Sequence, residues 1–153
     1  MSEQAASFRY TDLNEIDPSN QALPEDVYTV KVLSAQYVEG IGKTSGQPYE
    51  MVKFFLAITD HENYSGRRLW ESFFPGNYGA KAMRRIADAT GLMQEPGTSL
   101  IDWLAVLTEK QPTFKIPVQV VEDLDKDGKA RSLDIKGNPA KINKLNWFNV
   151  QPA

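Results

Sequence analysis

Along residues 27–38 apolar and polar positions alternate, with Tyr28, Val30 and Val32 on one side and Thr29 and Lys31 on the other. A period of two predicts a strand with one buried face. A glycine-bearing stretch over 39–47 leads to a second alternating run over 49–58, where Val52, Phe54, Leu56 and Ile58 share a face. Two such strands joined by a flexible loop predict a hairpin. A third β-prone run, 67–74, follows a turn at 60–66 and is closed by Pro75-Gly76. The period then lengthens. Ala82, Met83, Ile86, Ala87 and Thr90 recur at helical spacing, with Lys81, Arg84, Arg85 and Asp88 on the other side. Asn77 is the expected cap at the start of this helix and Gly91 at its end. A shorter helix is expected from Ser99, with Asp102 completing a capping box, through Trp103 and Leu107. Strands resume over 114–121 and 142–150, with an extra strand near 131–135, and no internal repeat is evident. Five or six strands with one or two inserted helices predict a mainly β protein, an OB-fold-like closed barrel whose curled sheet leaves no exposed edge.

The first 22 residues show no sustained period and carry the turn formers Asp17-Pro18-Ser19-Asn20. They are expected to form a flexible acidic arm, with residues 23–153 as a single domain. With 153 residues and 41% of them hydrophobic, the chain can bury one core. There are no cysteines, which excludes disulfides, thiolate nucleophiles and Cys-ligated zinc and suits a reducing cytoplasm. No apolar run is long enough to span a bilayer, and the start Met1-Ser2-Glu3-Gln4 does not read as a secretory signal, so no membrane partner is expected. Net charge is −3, but residues 1–26 hold six acids against one base, whereas residues 27–153 hold 14 acids against 16 bases. The presumed domain is therefore slightly basic.

Three motifs touch on chemistry. Gly40-Ile41-Gly42-Lys43-Thr44 imitates the end of a phosphate-binding loop, but Tyr37 stands where that loop needs a glycine, and a strand follows where it needs a helix. Asp123-Leu124-Asp125-Lys126-Asp127-Gly128 resembles the start of a calcium loop. Its twelfth position is Asp134, with shorter reach than glutamate, and its flanks are strands, so an acidic hairpin turn is the expectation. A metal-dependent nuclease built on Asp123, Asp125 and Asp127 is the remote catalytic reading. The only histidine, His61, has no second histidine to build a zinc site or triad. Neither an enzyme nor a cofactor is expected.

The aromatic and basic residues form a more informative pattern. If Val52, Phe54, Leu56 and Ile58 fill the core, then Tyr49, Met51, Lys53, Phe55 and Ala57 face outward. With Leu69 and Phe73 inward on the third strand, Arg68, Trp70, Ser72 and Phe74 extend the same surface. That register also turns Glu71 inward, and the opposite register stays open on that account. Rings beside cations suit an unpaired nucleic-acid strand, because every base offers a π-face and every linker a phosphate. Tyr49, Phe55, Trp70 and Phe74 are the candidate stacking residues, and Lys53, Arg68 and Lys43 the candidate phosphate contacts. Arg84, on the helix face with Lys81 and Arg85, is a candidate for the rim. Lys144, in a tail that also holds Trp147-Phe148, is a candidate for one edge. The alternative is that the rings form a second small core under a helix or a partner.

The stretches Leu23-Pro24-Glu25-Asp26-Val27-Tyr28-Thr29-Val30-Lys31-Val32, Ser45-Gly46-Gln47-Pro48-Tyr49, Val52-Lys53-Phe54 and Gly66-Arg67-Arg68-Leu69-Trp70-Glu71 resemble a phage and prophage family of small OB-fold single-stranded DNA-binding proteins. The similarity runs over about residues 23–92, to Ala89-Thr90-Gly91-Leu92, and more weakly to the last strand. It implies a cofactor-free protein, monomer or homodimer, that coats single-stranded DNA in the host cytoplasm during phage replication or recombination, with proteins of those processes as further partners. It carries over to Lys53, Arg68 and Trp70 on the matching strands. Many single-stranded DNA-binding proteins end in an acidic recruiting tail, but this chain ends Asn149-Val150-Gln151-Pro152-Ala153 and its acidic segment is N-terminal. That arm is expected to compete with DNA for the basic groove, so deleting it should tighten binding at low salt. The rival expectation is a protein-interaction or virion-assembly module using the same aromatic face.

Overall fold

A computed structural model describes residues 22–153, and the arm expected over 1–22 lies, but for Ala22, outside the described residues. The described residues are mainly β, a six-stranded antiparallel sheet with two helices. Strands β1 (Asp26–Ile41) and β2 (Pro48–Thr59) form the long hairpin that the alternation predicts, and β3 (Arg68–Phe73) adds to the far side of β2. Helices α1 (Asn77–Thr90) and α2 (Leu100–Lys110) follow. Then come β4 (Thr113–Glu122), β5 (Lys141–Leu145), a 3-10 turn (Trp147–Asn149) and the short β6 (Gln151–Pro152). The strand order is β3-β2-β1-β4-β5, with β6 also paired to β4.

One side of this sheet is dry. Val30, Val32, Phe54, Leu56, Ile58 and Phe114 are buried almost completely, and Ile86 of α1 with Leu104 and Leu107 of α2 covers them. Helix α2 also completes the backbone of β1. Pairing of β1 with β4 stops at Lys31, and a bulge at Leu33 shifts the register with β2. Past that point Val32 N–H donates to the Pro112 carbonyl (2.9 Å) and Ala35 N–H to Thr108 Oγ1 (2.9 Å). Gln111 Nε2 donates to the Leu33 carbonyl (3.1 Å). An edge without these partners would leave buried amide groups unpaired. The helix ends follow local chemistry: Ser99 and Asp102 cap α2 reciprocally, and Gly91 ends α1 at φ 73°, where a side chain would be strained. Asn77 is not the expected cap, because the N-cap is Gly76, with no side-chain hydrogen bond.

Closure of the sheet into a barrel is not found. Among the described residues no ladder joins β3 to β5, since β5 ends at Leu145 and the chain turns into the 3-10 segment. Trp147 sits there instead. It is fully buried, packs against Phe54, Phe73 and Phe114, and donates Nε1–H to Glu71 Oε1 on β3 (3.0 Å). A single indole thus ties the last segment to β3 in place of a backbone ladder. The same bond explains how Glu71 can point inward, and of the tail considered for one edge of the binding surface it takes Trp147 into the core. Phe148 is half-buried, against Tyr78 and Arg85.

The extra strand expected near 131–135 is absent. Residues 123–140 make one tight turn twice. Asp125 Oδ1 accepts from the N–H groups of Asp127 and Lys129, and Asp134 Oδ1 from those of Lys136 and Asn138. Gly128 and Gly137 take φ 81° and 84° in the two copies. Each copy closes with one bridge, Leu124 to Ala130 and Leu133 to Pro139. This short repeat escapes the sequence because only its leucine, aspartate and glycine recur.

Candidate functional site

The outer face of β2 and β3 holds the site, and the ladder fixes its rows. Phe55 stands directly opposite Trp70 on β3 and Ser34 on β1. Lys53 stands opposite Ser72 and Gln36, and Ala57 opposite Arg68 and Lys31. Opposed side chains of an antiparallel pair start about 4.5–5.5 Å apart, so each row is a contiguous strip. Trp70 is 69% exposed, Phe74 59%, Phe55 40% and Tyr49 38%. At the alternate positions of the same strands, Val52, Phe54 and Phe73 are 5% exposed or less. The register that places Val52, Phe54, Leu56 and Ile58 in the core is therefore the one found, and among the described residues none of the four rings belongs to a second core. Ala57 departs from its expected exposure: it points outward but is buried, lying between Lys31 and Arg68, whose aliphatic stems can shade it.

Tyr49 faces Gly40 across the β1–β2 ladder. A Cβ at Gly40 would stand 2.8 Å from the Tyr49 hydroxyl, so the ring lies over bare backbone there and would have to shift over any other residue. At the end of the hairpin Tyr49, Phe74, Pro48, Pro75, Glu39 and Glu50 line an open cleft of about 480 Å³, with Glu39 and Glu50 in step with Val52 on the side of the sheet opposite the aromatic rows. Glu39 and Glu50 are opposed in the ladder, an arrangement that repels unless something stands between them. The Tyr37 hydroxyl does so, lying 2.5 Å from Glu50 Oε2 and 3.2 Å from Glu39 Oε2. The hydrogen bond to Glu50, with burial and the two carboxylate charges adding to it, pushes this hydroxyl up to about 12, so it keeps its proton at neutral pH.

No family model and no curated protein matches this chain. The geometry of the site is thus the support for any functional reading. It brings together Tyr49, Lys53, Phe55, Arg68, Trp70 and Phe74. Lys43 is exposed at the hairpin tip, in the 42–47 turn closed by Gly42 N–H to the Gln47 carbonyl. Lys144 is exposed on β5 opposite Gln119, beyond β1 and β4 from the aromatic rows. Arg84 pairs with Asp88 on α1 (3.1 Å), a helix packed against the 3-10 turn, β4 and β6, so it is not brought to the aromatic face. Lys31 belongs to the face although sequence reasoning did not select it. The alternation of β1 already turned it outward, but only the ladder sets it in a row with Arg68. Glu39 and Glu50 also line the cleft by Phe74, which nothing in the linear order signals, but they lie in step with Val52 and not in the aromatic rows.

The other motifs do not assemble sites. Asp125 spends Oδ1 on two backbone amides, and among the described residues no group of three or more histidines or acids is arranged to hold a metal ion. His61 Nδ1 accepts from the N–H groups of Asn63 and Tyr64, and its ring packs with Tyr28 and Tyr64. It serves the turn that holds it. No helix among the described residues is long and apolar enough to cross a membrane.

Proposed function

We propose that this chain binds single-stranded DNA on the outer face of β2 and β3, in support of phage DNA replication or recombination. The observation that carries the reading is the Phe55–Trp70 pair, two exposed rings opposed in one ladder, with Lys53 in an adjacent row and Lys31 and Arg68 in the other. Bases stack on the rings while the cations meet phosphates, and neither contact requires a particular sequence. From Trp70 to Phe74 the face runs about 13 Å at roughly 3.3 Å per strand residue, the reach of two to three nucleotides. We read the sheet as an OB-type barrel left open between β3 and β5. The order β3-β2-β1-β4-β5 supports this, and OB folds are partly open Greek-key barrels.

A titration of the full chain with a dT oligomer and with duplex of equal length, accompanied by light scattering, tests the proposal. The expected result is tight binding of the single strand, weaker binding of duplex, and affinity that falls with salt as counterions are released. A chain that self-associates and ignores the oligomer would assign the face to protein assembly instead.

A further inference from the structure

The strands sort their charges by face. Successive side chains leave a strand on opposite sides, and the ladder registers align those sides across the sheet. Among the described residues the strands carry five acids, Asp26, Glu39, Glu50, Glu71 and Glu122, and all of them stand in step with core positions. Asp26 faces Val118 and Glu71 faces Phe54, Glu50 is two residues from Val52 and opposite Glu39, and Glu122 is four residues from Val118. Of the six strand bases, Lys31, Lys53, Arg68, Lys115 and Lys144 stand on the outer face instead. The sixth, Lys141, pairs with Glu122 (3.3 Å) on the core side. A face that carries cations and no acidic strand side chain attracts a polyanion over its whole breadth.

Two of these cations lie beyond the rings. Lys31 stands opposite Thr113 on β4, which makes Lys115 its diagonal neighbour, about 7–8 Å away at the backbone. Phe114 and Ile116 on either side of Lys115 are fully buried, so the exposed lysine points outward. Four residues further along β4, about 13 Å at roughly 3.3 Å per residue, Gln119 stands opposite the exposed Lys144 of β5. Between the two lysines Val27 faces Pro117, and Val27 is 51% exposed. We infer that the strand-binding surface continues past the aromatic rows, across β1 and β4, to β5. Lys115 and Lys144 hold two further phosphates, and the exposed row of Val27 and Pro117 lies under the nucleotide between them. The inference rests on the single-stranded DNA reading and deepens it. The cations follow one another from the rings to β5 with no acidic strand side chain between, so one continuous polyanion meets them all.

Titrations of the full chain with a short and a long dT oligomer, at the two ends of the range of about 4–16 nucleotides that an OB fold covers, test it across a salt series. The short oligomer occupies the rings and meets Lys31, Lys53 and Arg68, whereas the long one also reaches Lys115 and Lys144. At roughly 0.7 per phosphate the log–log slope is expected to be about −2 for the first and about −3.5 for the second. Lys115→Gln/Lys144→Gln should lower affinity for the long oligomer about 25-fold at about 0.1 M salt, return its slope to about −2, and leave the short oligomer unchanged. Lys110→Gln/Lys141→Gln removes the same formal charge at the end of α2 and on the core side of β5, and should change neither. Wild-type binding of the long oligomer by the Lys115/Lys144 variant, a loss equal for both oligomers, or a loss matched by the Lys110/Lys141 variant overturns the extension and leaves the general reading standing. No binding of either oligomer by the wild-type chain overturns both.

Discussion

Of the three tryptophans, Trp103 is 4% exposed, Trp147 is fully buried and Trp70 is 69% exposed, so a bound base can reach only one indole. Replacing Trp70 with alanine removes one stacking platform, and a stacked base contributes about 1–3 kcal/mol. The dissociation constant for a dT oligomer is therefore expected to rise about 5- to 150-fold. Trp70→Phe keeps a ring and most of the affinity but should abolish the quenching of tryptophan emission that is expected of the wild-type chain on binding. The salt dependence follows from the same rows. Lys31, Lys53 and Arg68 adjoin the rings, and three phosphates neutralised at roughly 0.7 each on a single strand give a log–log slope of about −2. Titrations at several salt concentrations supply both numbers, and a thermal melt of each variant separates lost binding from lost folding. Trp70→Ala with wild-type affinity, or undiminished quenching in Trp70→Phe, would refute the assignment of the face.

Three further perturbations test the scaffold. Trp147→Ala deletes the largest buried side chain and strips Glu71 of its indole donor, so a loss of about 3–5 kcal/mol is expected from urea denaturation; an unchanged midpoint would show that the indole does not hold β3 to the last segment. Thr108→Val preserves shape but leaves Ala35 N–H without its acceptor, and should cost about 1–3 kcal/mol in the same assay while oligomer binding is retained. Burial raises the Glu71 carboxyl above its usual range, against the pull of the Trp147 and Ser72 N–H donors. The folded state then holds that proton more tightly than the unfolded chain, so this contribution is full below the unfolded value and is lost as pH rises through the raised one. Glu71→Gln is accordingly expected to melt higher than wild type near pH 7, with the difference shrinking toward about pH 4; a difference that does not change with pH would contradict the direction of the shift.

Much of the architecture is legible before folding is considered. Period-two runs gave β1 to β4 with ends correct to within a few residues, because one face of each strand is dry and the other wet. The Ser99–Asp102 box and Gly91 are likewise local chemistry and appear where the residues put them. The end of the chain was not legible. The run over 142–150 has strand composition throughout, yet it divides into β5, a 3-10 turn and β6, since burying the Trp147 indole under Phe54 and Phe73 outweighs continuing an edge strand. Alternation also left Glu71 as an objection to the register, and only its bond to a residue 76 positions away removes it.

The order of residues by itself determined which side chains of β2 and β3 face water, because a strand's period allows only two faces and one is filled with Val52, Phe54, Leu56 and Ile58. Which of the outward residues are neighbours was decided by tertiary structure. Setting Phe55 against Trp70 and Lys31 in line with Arg68 depends on the bulge at Leu33 and on ladder registers between distant segments. A linear pattern has no term for those registers. They are fixed by how the bulky residues of the whole core pack together, and the composition of any one strand does not contain that information.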